Sequence, residues 1–197
     1  SVVLVDGLVA SASPEVLVPA STRLRLVVLM HMPLGALPGD RGRRSRVAER
    51  AVLHAAVTVL TTSAWARTWL LAHYSLTGDV VVAEPGVDAA PVSHGSDDAS
   101  RLLCVAAVIP NKGQDVLLSS LTTLTDLDWS CDFVGSLERD PAWAGERQRQ
   151  VNTAGLDSRI RFTGAHTAEQ LADDYAVADV LVHPTRAETY GMVVTEA

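Results

Sequence analysis

Short runs rich in valine and leucine recur along this chain, at residues 2–5, 26–30, 57–61, 80–83, 102–108, 131–134, 160–163 and 180–183. They do not alternate apolar with polar residues, which fits strands buried on both faces of a parallel sheet. Parallel strands need long crossovers, and the intervening segments read as amphipathic helices. Residues 45–56 place Val47, Ala51, Val52 and Ala55 on one face, and residues 63–73 begin at a capping serine. Residues 114–124 carry Val116, Leu117, Leu121 and Leu124, and residues 141–154 open on Pro141. Thr167 and Gln170 form a capping box ahead of Leu171. Repeated β-α-β order predicts an α/β, doubly wound architecture.

A chain of 197 residues, 48% hydrophobic and 20% charged, has ample apolar surface for one large core or two small ones. That composition excludes intrinsic disorder. The net charge of −7 argues against a nucleic-acid partner, whose footprint would be basic. Residues 85–100 hold Pro85, Pro91, Gly86, Gly95 and the Asp97-Asp98 pair with little apolar periodicity. They are expected to link two Rossmann-like domains, residues 1–84 and 101–197. Both ends fall inside structured patterns, so the sequence reads as an internal fragment of a longer protein. No apolar run approaches the ~20 residues of a membrane span. Cys104 and Cys131 sit in strand-like runs and read as buried thiols in a reducing, cytoplasmic compartment.

Ligands of open α/β sheets bind outside the carboxyl ends of the strands. In the second half those ends lead to Pro110-Asn111-Lys112-Gly113, to Gly135-Ser136, to Gly164-Ala165-His166, and to the segment from Pro184 to Gly191. Three of these loops hold glycine where a ligand could approach the backbone. One holds Lys112, the single lysine among sixteen basic residues. In the last loop Gly191 is expected to open a helix between Glu188 and Glu196, whose eight steps would rise roughly 12 Å. The amides of Tyr190, Gly191 and Met192 would then face an anion, and the carboxylates would accept hydrogen bonds from hydroxyls. An acidic first turn of an ordinary helix fits the same spacing equally well.

The second half resembles the C-terminal domain of the family 4 retaining glycosyltransferases of the GT-B fold. The matching pieces are Pro110-Asn111-Lys112-Gly113, Ala178-Asp179-Val180-Leu181-Val182-His183-Pro184 and the Glu-x7-Glu segment from Glu188 to Glu196. The first half is similar to the later part of that family's N-terminal domain around His31-Met32-Pro33-Leu34-Gly35. The resemblance implies two Rossmann-like domains facing a cleft and transfer of a hexose-type sugar, with retention, from a nucleotide diphosphate sugar to an acceptor hydroxyl. It implies that Glu188 meets the donor sugar's hydroxyls, that Thr189, Tyr190, Gly191, Met192 and Val193 line the sugar and diphosphate, and that Glu196 holds the ribose. Lys112, beside Gly113, would neutralise the phosphates; Gly135 and Gly164 would wall the base; His31 would face the sugar across the cleft. No metal or other cofactor is expected, and the leaving diphosphate itself would assist the incoming hydroxyl. The acceptor stays open among glycan, lipid-linked and small-molecule classes.

The family usually places Gly-Arg before the Lys-Gly loop, where this chain has Ala106-Ala107. Losing such a cation at a leaving group costs on the order of 10²–10³ in rate. Arg186 in the adjacent loop is the candidate substitute. The departure keeps open a non-catalytic sugar-nucleotide-binding module, beside a GT-B nucleotide-sugar epimerase. Arg41, Arg43, Arg44, Arg46 and Arg50 could meet anionic lipid at the inner membrane face, although the −7 charge favours a solvated helix face. The six histidines lack ligand spacing, so no metal site is expected.

Overall fold

Eight strands form two separate parallel sheets in the computed structural model, which describes residues 1–37 and 39–197 but not the side chain of Arg41. The chain divides into two units, Ser1–Gly86 and Val87–Ala197. In the first, β1 (Val2–Asp6), β2 (Arg25–Met30), β3 (Thr58–Thr61) and β4 (Asp79–Val82) lie in that spatial order. Helices α1 (Gly7–Ala12) and α2 (Pro14–Ala20) join β1 to β2, α3 (Gly39–Ala55) joins β2 to β3, and α4 (Ala64–Tyr74) joins β3 to β4.

Register sets the core of this unit. Val28 pairs with Val5 on one side and Val59 on the other, so their side chains share a face, and a parallel pleat repeats that face every second residue. Leu26, Val28, Met30 and Val59 are buried there against Val52, Leu53, Leu70 and Tyr74 of the helices. On the opposite face Val2 and Leu4 of the edge strand β1 are 62% and 60% exposed, whereas Val27, Leu29 and Leu60 are half-buried.

Helix α3 begins at Gly39, ahead of the expected residue 45, and turns a different face inward. Val47 is exposed, whereas Glu49 joins Val52 and Leu53 in full burial. The Glu49 carboxylate accepts from the Leu34 amide (2.7 Å), the Gly35 amide (3.0 Å), the Tyr74 hydroxyl (2.5 Å) and the Ser11 hydroxyl (3.3 Å). A buried carboxylate survives only with such compensation. Burial first, then the bond to Glu49, drives the Tyr74 phenol well above its usual range. Gly35 is required here, because a Cβ would stand 2.0 Å from the Tyr74 hydroxyl.

The second unit orders its strands β7 (Ile160–Gly164), β6 (Ser130–Val134), β5 (Arg101–Val105), β8 (Val180–Leu181). Its helices are α5 (Gln114–Leu121), α6 (Pro141–Thr153), α7 (Ala168–Val177) and α8 (Met192–Glu196). Pro141 sits at the first turn of α6 under an Asp140 cap, and the Thr167–Gln170 capping box is present on α7. Cys104, Cys131 and Phe133 are buried against Leu117, Leu118 and Leu121 of α5. Burial pushes the Cys104 thiol up to about 12 and raises that of Cys131 as well, so neither is a reactive thiolate.

Part of the expected linker is docked onto the second unit. The Ser93 hydroxyl donates to the carbonyls of Ala176 and Ala178 at 3.0 and 2.9 Å. Asp179 accepts from the Ser96 amide (2.8 Å), the Ser96 hydroxyl (2.6 Å) and the Arg101 amide (2.8 Å). The Ser96 hydroxyl leads the interactions that hold the Asp179 carboxyl below its ordinary range.

Candidate functional site

Strand order in the second unit reverses once. The chain steps outward from β5 to β6 to β7, then returns to lay β8 on the other side of β5. At such a reversal the loops after the two flanking strands border a crevice at their carboxyl ends, the usual ligand site of open α/β sheets. The loop after β5 carries Lys112 and the loop after β8 carries Glu188, so the topology brings the two residues to one place.

Lys112 Nζ donates to Glu188 Oε2 at 2.7 Å, with the side chains 26% and 30% exposed. His183, leaving β8, brings Nε2 to 3.4 Å from the same oxygen, and the Thr189 amide donates to Glu188 Oε1 at 3.2 Å. Burial works to raise the Glu188 pKa, but the bond and charge of Lys112 and the bond from the Thr189 amide outweigh it. The carboxyl is held below its ordinary range. Glu188 therefore offers a carboxylate suited to hydroxyl donors, beside a lysine suited to an anion.

The two loops are pinned together. Gly113, at φ +70°, lies so close to the β8 loop that a Cβ would stand 2.1 Å from the Pro184 carbonyl oxygen. The Arg186 amide and the Thr185 hydroxyl donate to the Asn111 carbonyl at 2.9 and 3.2 Å. The Arg186 guanidinium donates to the Pro110 carbonyl and, at 2.5 Å, to Asp115 Oδ2. That bond is the leading cause of the lowered Asp115 pKa. Arg186 is thus engaged with the start of α5.

Gly135 follows β6 and Gly164 ends β7, the Gly135 amide donating to the Gly164 carbonyl at 2.8 Å. A Cβ on Gly135 would stand 2.1 Å from the Ala106 carbonyl oxygen, so the Ala106-Ala107 turn joins the same rim. Gln114, fully buried, steadies that turn by donating to the Ala107 carbonyl at 2.9 Å.

The carboxyl-terminal segment corrects one expectation. Glu188 and Glu196 do not share a helix, because Gly191 at φ +86° lies in the left-handed region and α8 starts only at Met192. Thr189 and Tyr190 form a bend ahead of it, and Val193 lies inside α8. Glu196 Oε2 instead accepts from the Tyr175 hydroxyl on α7 at 3.0 Å. In the first unit His31 follows β2 with Nε2 3.4 Å from Asp6 Oδ2, beside the turn that Glu49 holds.

These features define an α/β protein of two parallel-sheet units, the second with a paired cation and carboxylate at its strand reversal. The profile of the group 1 glycosyl transferases matches residues 99–197, and the chain belongs to that family. D-inositol 3-phosphate glycosyltransferase 1 of Catenulispora acidiphila is 30% identical over 210 residues, covering 92% of this chain and 50% of that protein. The lipopolysaccharide core biosynthesis mannosyltransferase LpsB of Rhizobium meliloti is 33% identical over 107 residues, 52% of this chain and 30% of that protein. The chain thus spans about half the length, or less, of these curated relatives.

Among solved structures, sucrose-phosphate synthase of Thermosynechococcus elongatus superposes with a TM-score of 0.77 at 21% identity, covering 98% of this chain and 52% of that one. Anabaena HepE in complex with UDP and glucose gives 0.75 at 23%, covering 95% and 54%. At these identities the likeness shows the shared GT-B fold.

Proposed function

We propose that the chain binds a nucleoside diphosphate sugar in its second unit and takes part in moving a hexose to an acceptor hydroxyl with retention of configuration. The observation that carries this reading is the Lys112–Glu188 ion pair at the β5/β8 reversal. Diphosphate would draw the Lys112 ammonium away from Glu188, and the released carboxylate would accept hydrogen bonds from the sugar. In the transfer step the bond from the anomeric carbon to the diphosphate oxygen breaks. The acceptor oxygen bonds to that carbon on the same face, and its proton goes to the departing diphosphate. Lys112 would stabilise the charge that develops there, so no metal is assigned to the step. Gly135 and Gly164 would border the base, Glu196 the ribose, and His31 would act on the sugar. HepE was crystallised with UDP-glucose, and LpsB is named a mannosyltransferase, which sets the probes to try.

Calorimetric titration of the chain with UDP, GDP, UDP-glucose and GDP-mannose, followed by acceptor-dependent release of nucleoside diphosphate, tests the reading. One nucleotide series should bind, and Lys112→Met should abolish that binding. No binding across the panel would overturn it. The Ala106-Ala107 turn, with Arg186 engaged elsewhere, favours one second reading: a sugar-nucleotide-binding module without transfer, which would bind yet release nothing. Arg43, Arg44 and Arg50 flank Val47, 78% exposed, on α3. This face would be the one to meet anionic lipid, and co-sedimentation with phosphatidylglycerol vesicles tests it.

A further inference from the structure

His183 has no assigned part in the reading above, yet its surroundings are unusual for a histidine. Its side chain is 16% exposed, and Nε2 is buried with no hydrogen-bond partner. The nearest acidic oxygen, Glu188 Oε2, stands 3.4 Å away, just beyond good hydrogen-bond distance. A buried polar nitrogen left without a partner is unfavourable, and one 3.4 Å from a carboxylate already bonded to another cation is placed for a different state of the site.

We propose that His183 is a positioning residue linked to protons: when a nucleoside diphosphate sugar draws Lys112 away, His183 takes up a proton and becomes the cationic partner of Glu188. The inference rests on the donor-site reading. Its argument is charge balance. Glu188 is only 30% exposed, and Lys112 compensates it at 2.7 Å. Once the ammonium moves to the diphosphate, a half-buried carboxylate is left, and an unpaired charge there is costly.

The groups around His183 leave it as the replacement. From the β5 loop comes Lys112, which the ligand removes; from its own loop comes Glu188. Arg186 and Asp115 are bonded to each other at 2.5 Å. Gly191, leading into α8, brings only backbone near the ring: its ideal Cβ position is 4.0 Å from Nε2. Glu196, on α8, is bonded to Tyr175. Among the described residues Glu188 is the one acid within 4 Å of the imidazole. Imidazole is also the side chain that exchanges a proton readily near neutral pH. A protonated Nε2 would donate to Glu188 Oε2 and hold the carboxylate in place for the sugar hydroxyls.

The test is proton uptake on binding. UDP-glucose and GDP-mannose suit it, because their diphosphate diesters carry no proton that titrates near neutrality. Calorimetry of the chain at one pH in buffers of different ionisation enthalpy should show uptake approaching one proton per site. The bound state holds the extra proton, so affinity should fall as pH rises, by close to tenfold per pH unit at the steepest between about pH 6 and 8. In His183→Asn both the uptake and the pH dependence should vanish. Binding by the wild type with no proton uptake would overturn the inference and leave the donor site standing, as would uptake that persists in His183→Asn. No binding by either nucleotide sugar would remove the donor-site reading, and this inference with it.

Discussion

Lys112 Nζ and Glu188 Oε2 lie 2.7 Å apart although 76 residues separate them in the chain. They meet because β5 and β8 are neighbours at the strand reversal, so the pair is a product of topology. The two residues are therefore expected to respond differently to substitution. Glu188→Gln frees the ammonium and should tighten binding of UDP or GDP by about threefold to tenfold, the order of a part-buried ion pair. It should at the same time remove any preference for the nucleotide sugar over the free nucleotide. Calorimetry on both ligands checks this, and weaker binding of the free nucleotide would contradict it.

Ala107 stands where the family resemblance implies an arginine, and Arg186 is held by Asp115 and the Pro110 carbonyl. Ala107→Arg should strengthen nucleoside diphosphate binding by on the order of tenfold, through a charge-assisted bond that the chain now lacks. Arg186→Ala should act indirectly. It would release the β8 loop from α5 and lower thermal stability of the second unit, as followed by calorimetric scanning.

Glu49 offers a test confined to the first unit. Truncation to alanine would leave the Leu34 and Gly35 amides and the Tyr74 hydroxyl without their acceptor. A loss of about 3 kcal/mol or more is expected, since each buried donor left unsatisfied costs about 1–3 kcal/mol. Glu49→Gln, which keeps one acceptor oxygen and so can serve only one of the two amides, should lose less. Urea unfolding resolved by unit would show the change in the first transition alone.

Gly113→Ala should destabilise the second unit by about 2–4 kcal/mol, from a left-handed backbone and a clash with the Pro184 carbonyl together. Binding should weaken in parallel, because the same contact sets the spacing of the Lys112 and Glu188 loops.

Asp179 gives a pH dependence of definite sign. Its carboxyl is depressed in the folded chain, chiefly by the Ser96 hydroxyl. Its contribution is present above the unfolded carboxylate value of about 3.9 and is lost as pH falls through the lower folded value. Stability of the second unit should therefore decline with acid below about pH 4, and Asp179→Asn should flatten part of that decline. Urea midpoints measured across that range check it.

Each strand was legible from valine-rich runs, because burial in a parallel sheet leaves a strong local mark. The ends were less so. The runs expected to reach residues 108 and 183 stop at Val105 and Leu181, where pairing with the neighbouring strand ends. Helices α1 and α2 leave little trace in the sequence, since one is only six residues long and the other holds Pro19 inside it. Glu49 sits in an arginine-rich stretch that reads as a solvated face, and nothing nearby in sequence announces the Leu34 and Gly35 amides. Ser93 and Ser96 have linker composition, yet their hydroxyls find Ala176 and Asp179 more than 80 residues away. For the site, Lys112 and Glu188 were recognisable by motif. The unpartnered Nε2 of His183 is a fact of packing that spacing cannot encode.

Both cysteines of the chain lie on strands of the second sheet, and both are sealed behind α5 and α6. The first unit has none. Thiol-reactive dyes added to the native chain will therefore report, by their rate of attachment, how often the second sheet opens. They will be silent about the first, giving a clock for the second half alone without any engineered label.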